Sequence, residues 1–372
     1  MSRLSRAFRS DKPRLEADAP SHADPPERRG RSAGGGGEKG SAVSRVFAGG
    51  SSAGGPLGAG TRKRSGVSGD RILHAVAAIV ATLIPLLLLA MVVFLFFHAR
   101  LTIHRFGWKF LITSTWDPVF DQFGALPFIY GTLVTSALAL LLAVPVGIGM
   151  AVFISEIAPG PVRAPVILLS ELLAGIPSVV YGLWGVFVLV PLVRSGIAPP
   201  LQKTLGFLPL FKGFPIGVGM LTAGLILAIM ILPTVSSITR EVLASVPVEQ
   251  REAAAALGAT RWETIRLGVL PYARWGIFGA VILALGRALG EAMAVTMVIG
   301  NVPQIKASLF EPAYSLTAVL ANEFTEAAGD LHLSALIEVA LILLGISLLT
   351  NIAAQLLIAL VVEREEARKG LG

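Results

Sequence analysis

The chain has no cysteine among its 372 residues, which excludes disulfides and thiolate metal sites. Charge is scarce too: Asp, Glu, Lys and Arg make up 15% of the sequence, against roughly 25% in a soluble domain. There is no Gly-x-x-x-x-Gly-Lys-Ser/Thr loop to cradle nucleotide phosphates. The apolar blocks contain no Gly-x-Ser-x-Gly, no His-Glu-x-x-His and no clustered pair of acids, so nothing points to an intramembrane enzyme. His74, His98 and His104 form no metal-ligand set. No catalytic residue, metal or cofactor is nominated.

Hydrophobic residues make up 54% of the chain, and they fall into blocks of about 20 residues or more, long enough to cross a bilayer. A water-soluble core needs no such blocks. The expected fold is an all-α integral membrane protein with about six transmembrane helices. The spans are placed at about Ile72–Phe97, Leu126–Ile157, Pro165–Val193, Ile216–Ile238, Trp275–Ile299 and Ser334–Val362. Residues 1–69 read as a disordered basic tail rich in Gly and Ser, because too little apolar surface is available there to offset ordering entropy. Residues 70–362 form the membrane domain and 363–372 a C-terminal tail.

The net charge of +7 lies mostly in the tail and loops. It is read as topology information and not as a nucleic-acid footprint. Arg62-Lys63-Arg64 and Arg71 border the first block, where they serve as a positive-inside anchor or bind anionic membrane lipid. Loop charge places both termini, the link with Arg163 and the Arg240–Arg274 loop in the cytoplasm. The acidic Gly300–Leu333 loop is placed outside. The Arg194, Lys203 and Lys212 loop fits this arrangement less well, since parity also puts it outside.

Residues 240–271 are the most informative polar stretch. Pro247 suits the first position of a helix, and Ala-rich residues 248–257 propagate it. Gly258 suits the left-handed residue that ends a helix, and Thr260 with Glu263 matches a capping box that opens the next. Two short helices with a sharp turn between them are predicted.

Glu252, Ala253, Ala254, Gly258, Leu270 and Pro271 fall in the register of the EAA signature, and on them the loop resembles that of ABC importer permeases. Gly268 departs from the pattern, which has an apolar residue there. The resemblance implies that this helix-turn-helix docks on a separate ATPase subunit through Glu252, Ala253, Ala254 and Gly258. Three further stretches sharpen it: Leu126–Ser136 with Ile154–Pro159, Gly175–Gly185, and Leu285–Met297. Together they resemble PstC-type permease subunits of phosphate-specific ABC transporters, over roughly residues 70–362. This implies a bacterial inner-membrane importer subunit for inorganic phosphate. Its partners would be a second permease of the PstA type, ATPase subunits and an extracytoplasmic phosphate-binding protein. A permease for another oxyanion, such as sulfate or molybdate, and a stand-alone secondary transporter stay open as alternatives.

Span five carries Arg287 and Glu291 four residues apart, so a continuous helix would put them on one face. One such residue at a helix centre costs roughly 2.5–3.5 kcal/mol on insertion scales. Two readings follow: a translocation path in which Arg287 meets an oxyanion through its planar fork of donors, or a structural ion pair. Glu171 and Glu338 could also line the path. Pro177, with Gly175 and Gly182, is expected to bend or unwind span three, and Pro145, with Gly147 and Gly149, to do the same in span two.

Overall fold

The computed structural model describes the backbone of residues 67–369 and the side chains of residues 71–359. The expected tail over 1–69 therefore lies outside the described residues, except for its last three positions. So does the Arg62-Lys63-Arg64 anchor.

The described chain is helical, and its only β structure is two isolated bridges. α1 is Val67–Phe106, and α2 is Leu126–Val152, extended by a π-helical turn at Phe153–Ile157. α3 is Gly160–Gly175 and α4 is Ser178–Leu205. α5 is Met220–Ala244, α6 is Val248–Ala256 and α7 is Arg261–Gly290. α8 is Met293–Val298, α9 is Leu316–Glu323 and α10 is Asp330–Lys369. Six of these are long and apolar enough to cross a membrane: α1, α2, α4, α5, α7 and α10.

The span count matches the sequence reading, but two spans differ in kind. Span three, expected at Pro165–Val193, is divided. α3 ends at Gly175, the chain is extended at Ile176 and Pro177, and α4 runs on to Leu205. Pro177 has no N–H to donate and disfavours helix in the residue before it, so the break falls where the Gly-Ile-Pro run predicts. Span five, expected at Trp275–Ile299, stops at Gly290. Glu291 is extended, with ψ of 122°, before α8 begins. At the C-terminus, helix continues to Lys369 through most of the expected tail. Pro145 is carried inside α2 without ending it.

The core is built on α2 and α5. Two thirds of the most apolar window of α5 (67%) is buried, against none of that of α1 (0%). Between apolar helices in lipid, close backbone approach replaces the hydrophobic effect as the source of packing energy, and small residues provide it here. A Cβ on Gly147 would come within 2.8 Å of the Val235 side chain, and Gly224 lies against Leu138. These contacts show that α2 and α5 run parallel, which puts the Ile157 end of α2 and the Ala244 end of α5 on the same side. Gly276 lies against Val242 and Arg287 meets Thr234, so α7 returns antiparallel to α5. A second, smaller apolar cluster joins the ends of α2 and α5 to the start of α7 through Val152, Leu243, Val246, Ile265 and Val269.

At the other end, the hairpin 113–125 is held by Trp116. Its Nε1 donates to Glu323 Oε2 at 2.8 Å, with His332 Nε2 at 3.2 Å from the same oxygen and Phe123 stacked on His332. These side chains tie the start of α2 to α9 and α10.

Candidate functional site: a coupling loop and a mid-span arginine

The turn after α6 forms as its sequence dictates. The Ala259 N–H donates to Ala254 O at 3.2 Å and the Gly258 N–H to Ala255 O at 2.9 Å. This is the bond pair that closes a helix through a left-handed residue, and Gly258 supplies that residue at φ +81°. Thr260 then caps the next helix. The Glu263 N–H donates to its hydroxyl, and Glu263 Oε2 accepts from the Thr260 N–H at 2.7 Å. This reciprocal pair satisfies donors that a helix start leaves open.

Two details differ from expectation. Pro247 is the residue before the helix, with ψ of 143°, and not its first turn. The second helix is not short, since α7 runs from Arg261 through a π-helical turn at Thr264–Val269 and on to Gly290. The departure at Gly268 falls where α7 meets α6. A Cβ there would lie in ordinary contact with Gln250 O at 3.4 Å and Ala254 Cβ at 3.8 Å. Buried Ile265 and Val269 supply the apolar contacts instead.

The loop presents an outward face. Glu252 and Ala253 are exposed and Ala254 is half-buried. Leu257 is 90% exposed, and Val248, Trp262 and Leu267 of the same loop are exposed too. Large apolar side chains left open on one loop are the kind of surface that a partner covers.

Arg287 lies in the last turn of α7, and its Nη1 donates to Thr234 Oγ1 at 3.2 Å. Thr234 is fourteen residues into α5 and ten from its end, hence about 21 Å and about 15 Å from the two ends at 1.5 Å per residue. The guanidinium therefore lies about midway along α5, on an exposed face of this chain. Glu291 does not share that face. Its carboxylate accepts from the Ala294 N–H at 3.4 Å at the start of α8, while its carbonyl accepts from Thr317 Oγ1 at 2.8 Å. Among the described residues no ion pair joins Arg287 to Glu291. The expectation of one helix face is thus corrected: Gly290 ends the helix, and the break is stabilised by hydroxyl and carboxylate partners, as irregular backbone at this depth requires. Thr234 and Thr317 were not singled out in the sequence, where threonines in apolar spans carry no distinctive signal.

Glu171 Oε1 is 3.8 Å from Arg240 Nη2. Glu338 is buried, and its Oε2 has no hydrogen-bond partner among the described residues.

Residues 143–363 match the model of the binding-protein-dependent transport system inner membrane component family. The chain belongs to this family. It is also 47% identical to the Mesorhizobium japonicum protein named phosphate transport system permease protein PstC, over 81% of this chain and 92% of that one. The Haemophilus influenzae protein of the same name is 45% identical, over 78% of this chain and 93% of the relative. A bacterial alginate ABC transporter crystallised with its alginate-bound periplasmic protein contains a chain of similar fold. Its TM-score is 0.51 at 18% identity, over 80% of this chain and 99% of that one. Family membership and six apolar helices together make this a multi-pass inner-membrane protein and a permease component of an ABC transport system.

Proposed function

We propose that this chain is the permease subunit of an ATP-driven importer that moves inorganic phosphate across the inner membrane. The observation that carries this reading is the exposed α6 turn, set by Gly258 and Thr260 and continuous through α7 with the mid-span Arg287. It gives a force applied at the loop a rigid path to the middle of the membrane. Relatives named phosphate transport system permease protein PstC, similar over about four fifths of the chain, support the choice of phosphate. The chain has no nucleotide-binding loop of its own, so hydrolysis is assigned to a separate ATPase docked on Glu252, Ala253, Ala254 and Gly258. A second permease of the PstA type and an extracytoplasmic phosphate-binding protein complete the assembly. The loop faces the cytoplasm with both termini, and the domain limits are 70–362 for the permease with tails on either side.

In this reading Arg287 offers the anion a transient site at mid-depth, oriented by Thr234. Desolvation strengthens the attraction for a phosphate oxygen, and a single arginine without a cage keeps the anion from being trapped. Glu291 positions the break below which α7 ends. The direct test is uptake of radiolabelled phosphate into vesicles holding the purified complex. Uptake should require ATP and the binding protein, and excess sulfate or molybdate should leave it unchanged. ATP-independent uptake would point to a secondary transporter, and competition by sulfate or molybdate to another oxyanion.

A further inference from the structure

Arg251 has no place in the docking face, because its side chain turns inward. The side chain is 25% exposed, and its guanidinium meets three acceptors. Nη1 donates to Val246 O at 2.6 Å, and Nη2 to Leu243 O at 2.9 Å and to Glu156 Oε1 at 2.9 Å. Leu243 is in the last turn of α5; its carbonyl also accepts from the Val246 N–H at 3.3 Å, and the helix dipole there favours a cation. Glu156 is in the π-helical turn that ends α2, and its carboxylate is 13% exposed. One side chain on α6 thus joins the ends of both central spans. A lysine would offer these acceptors a point charge, whereas the planar fork of arginine reaches several at once.

The link sits beside the small apolar cluster that already joins α2, α5 and α7 through Val152, Leu243 and Ile265. That cluster holds the three helix ends together but includes no residue of α6. The α6 helix itself rests on α7 at Gly268. Arg251 is therefore its polar tie to α2 and α5, ninety-five residues away in sequence from Glu156. A carboxylate held in this half-buried position pairs more firmly than a surface one, and removing one partner leaves the other charge without compensation.

We propose that Arg251 and Glu156 are positioning residues that carry the displacement of α6 to the ends of α2 and α5, so that both central spans move with the loop. This inference rests on the reading of the chain as an ATP-driven permease. It assigns a transmission role to two residues outside the docking face and the phosphate path.

The test uses the complete complex in proteoliposomes with its binding protein, measuring ATP hydrolysis and radiolabelled phosphate uptake in the same sample. The main variant is Glu156→Gln, which removes the charge, keeps the shape and leaves Arg251 bonded to α5. The ATPase should co-purify at the wild-type ratio and hydrolysis should persist. Phosphate moved per ATP should fall by about fivefold or more, within the range that changes along a coupling network produce. Arg251→Lys, which keeps the charge but loses the fork, should give a smaller fall in the same ratio, about twofold to threefold. A purely structural pair would lower hydrolysis and uptake together, in proportion to the complex assembled, and that result would overturn the proposal. So would an unchanged ratio in Glu156→Gln. Should that variant fail to assemble, an unchanged ratio in Arg251→Lys decides against the link. Absence of ATP-dependent uptake in the unaltered complex would overturn the underlying functional reading, and it is seen before any variant is made.

Discussion

Substitution at Gly258 separates backbone conformation from packing. The residue has φ of +81°, and a Cβ built there meets nothing within 4 Å. Steric contact within this chain therefore adds nothing to the cost, and what remains is the left-handed backbone. For an ordinary L-residue that costs about 1–2 kcal/mol, and a β-branched side chain raises it further. Since 1.4 kcal/mol is tenfold in an equilibrium constant, the constant for forming the turn should fall by about fivefold to thirtyfold in Gly258→Ala and by more in Gly258→Val. Asn tolerates this region through its short polar side chain, so Gly258→Asn should stay close to wild type. The assay is co-purification of the ATPase with each variant, followed by ATP-dependent phosphate uptake. The expected order of loss is Val, then Ala, then Asn. Wild-type co-purification and uptake by Gly258→Val would refute the argument. Equal damage by Asn and Val would move the cause from backbone φ to collision with the docked partner.

Four further outcomes are expected. Arg287→Gln should cut uptake by at least about tenfold with assembly intact, and combining it with Glu291→Gln should give no rescue; a double-mutant cycle should return a coupling below about 0.5 kcal/mol for two sites that share no contact, and recovery of uptake in the double variant would restore the ion-pair reading. Gly131→Ala should lower the thermal midpoint of the purified protein, because its Cβ would collide with the Tyr314 carbonyl oxygen and overpacking against fixed backbone costs about 1–3 kcal/mol; an unchanged midpoint would contradict that close approach. The Tyr314 phenol, in the segment between α8 and α9, is pushed up to about 12, chiefly by burial. The folded state favours its neutral form, so this stabilisation is present below the ordinary phenol pKa and lost as pH rises toward 12; absorbance titration should show a late-ionising tyrosine component that Tyr314→Phe reduces by one phenol. In the cysteine-free background, Val119→Cys at an 85% exposed position should react with an impermeant thiol reagent in intact cells and Gln250→Cys only after permeabilisation, whereas the reverse pattern would invert the topology.

Features that rest on local rules were legible in the order of residues alone. Apolar block length gave the number of spans, since each helix must satisfy its own backbone in lipid. The left-handed glycine and the capping box made the α6 turn legible, because each depends on residues within a few positions of one another. The break at Ile176–Pro177 was legible for the same reason. Tertiary structure decided the rest. Gly290 and Glu291 read in sequence as the continuation of one helix; the Thr317 hydroxyl on the Glu291 carbonyl, twenty-six residues on, and the Ala294 N–H on the Glu291 carboxylate support the extended chain between α7 and α8. Arg251 and Glu156 are unremarkable charges in their own segments. They meet because α2 and α5 run parallel and end on the same side, and that follows from glycine contacts such as Gly147 on Val235. Long-range pairing of this kind depends on which helix faces meet. A linear pattern of residue types records the faces of each helix but not their partners.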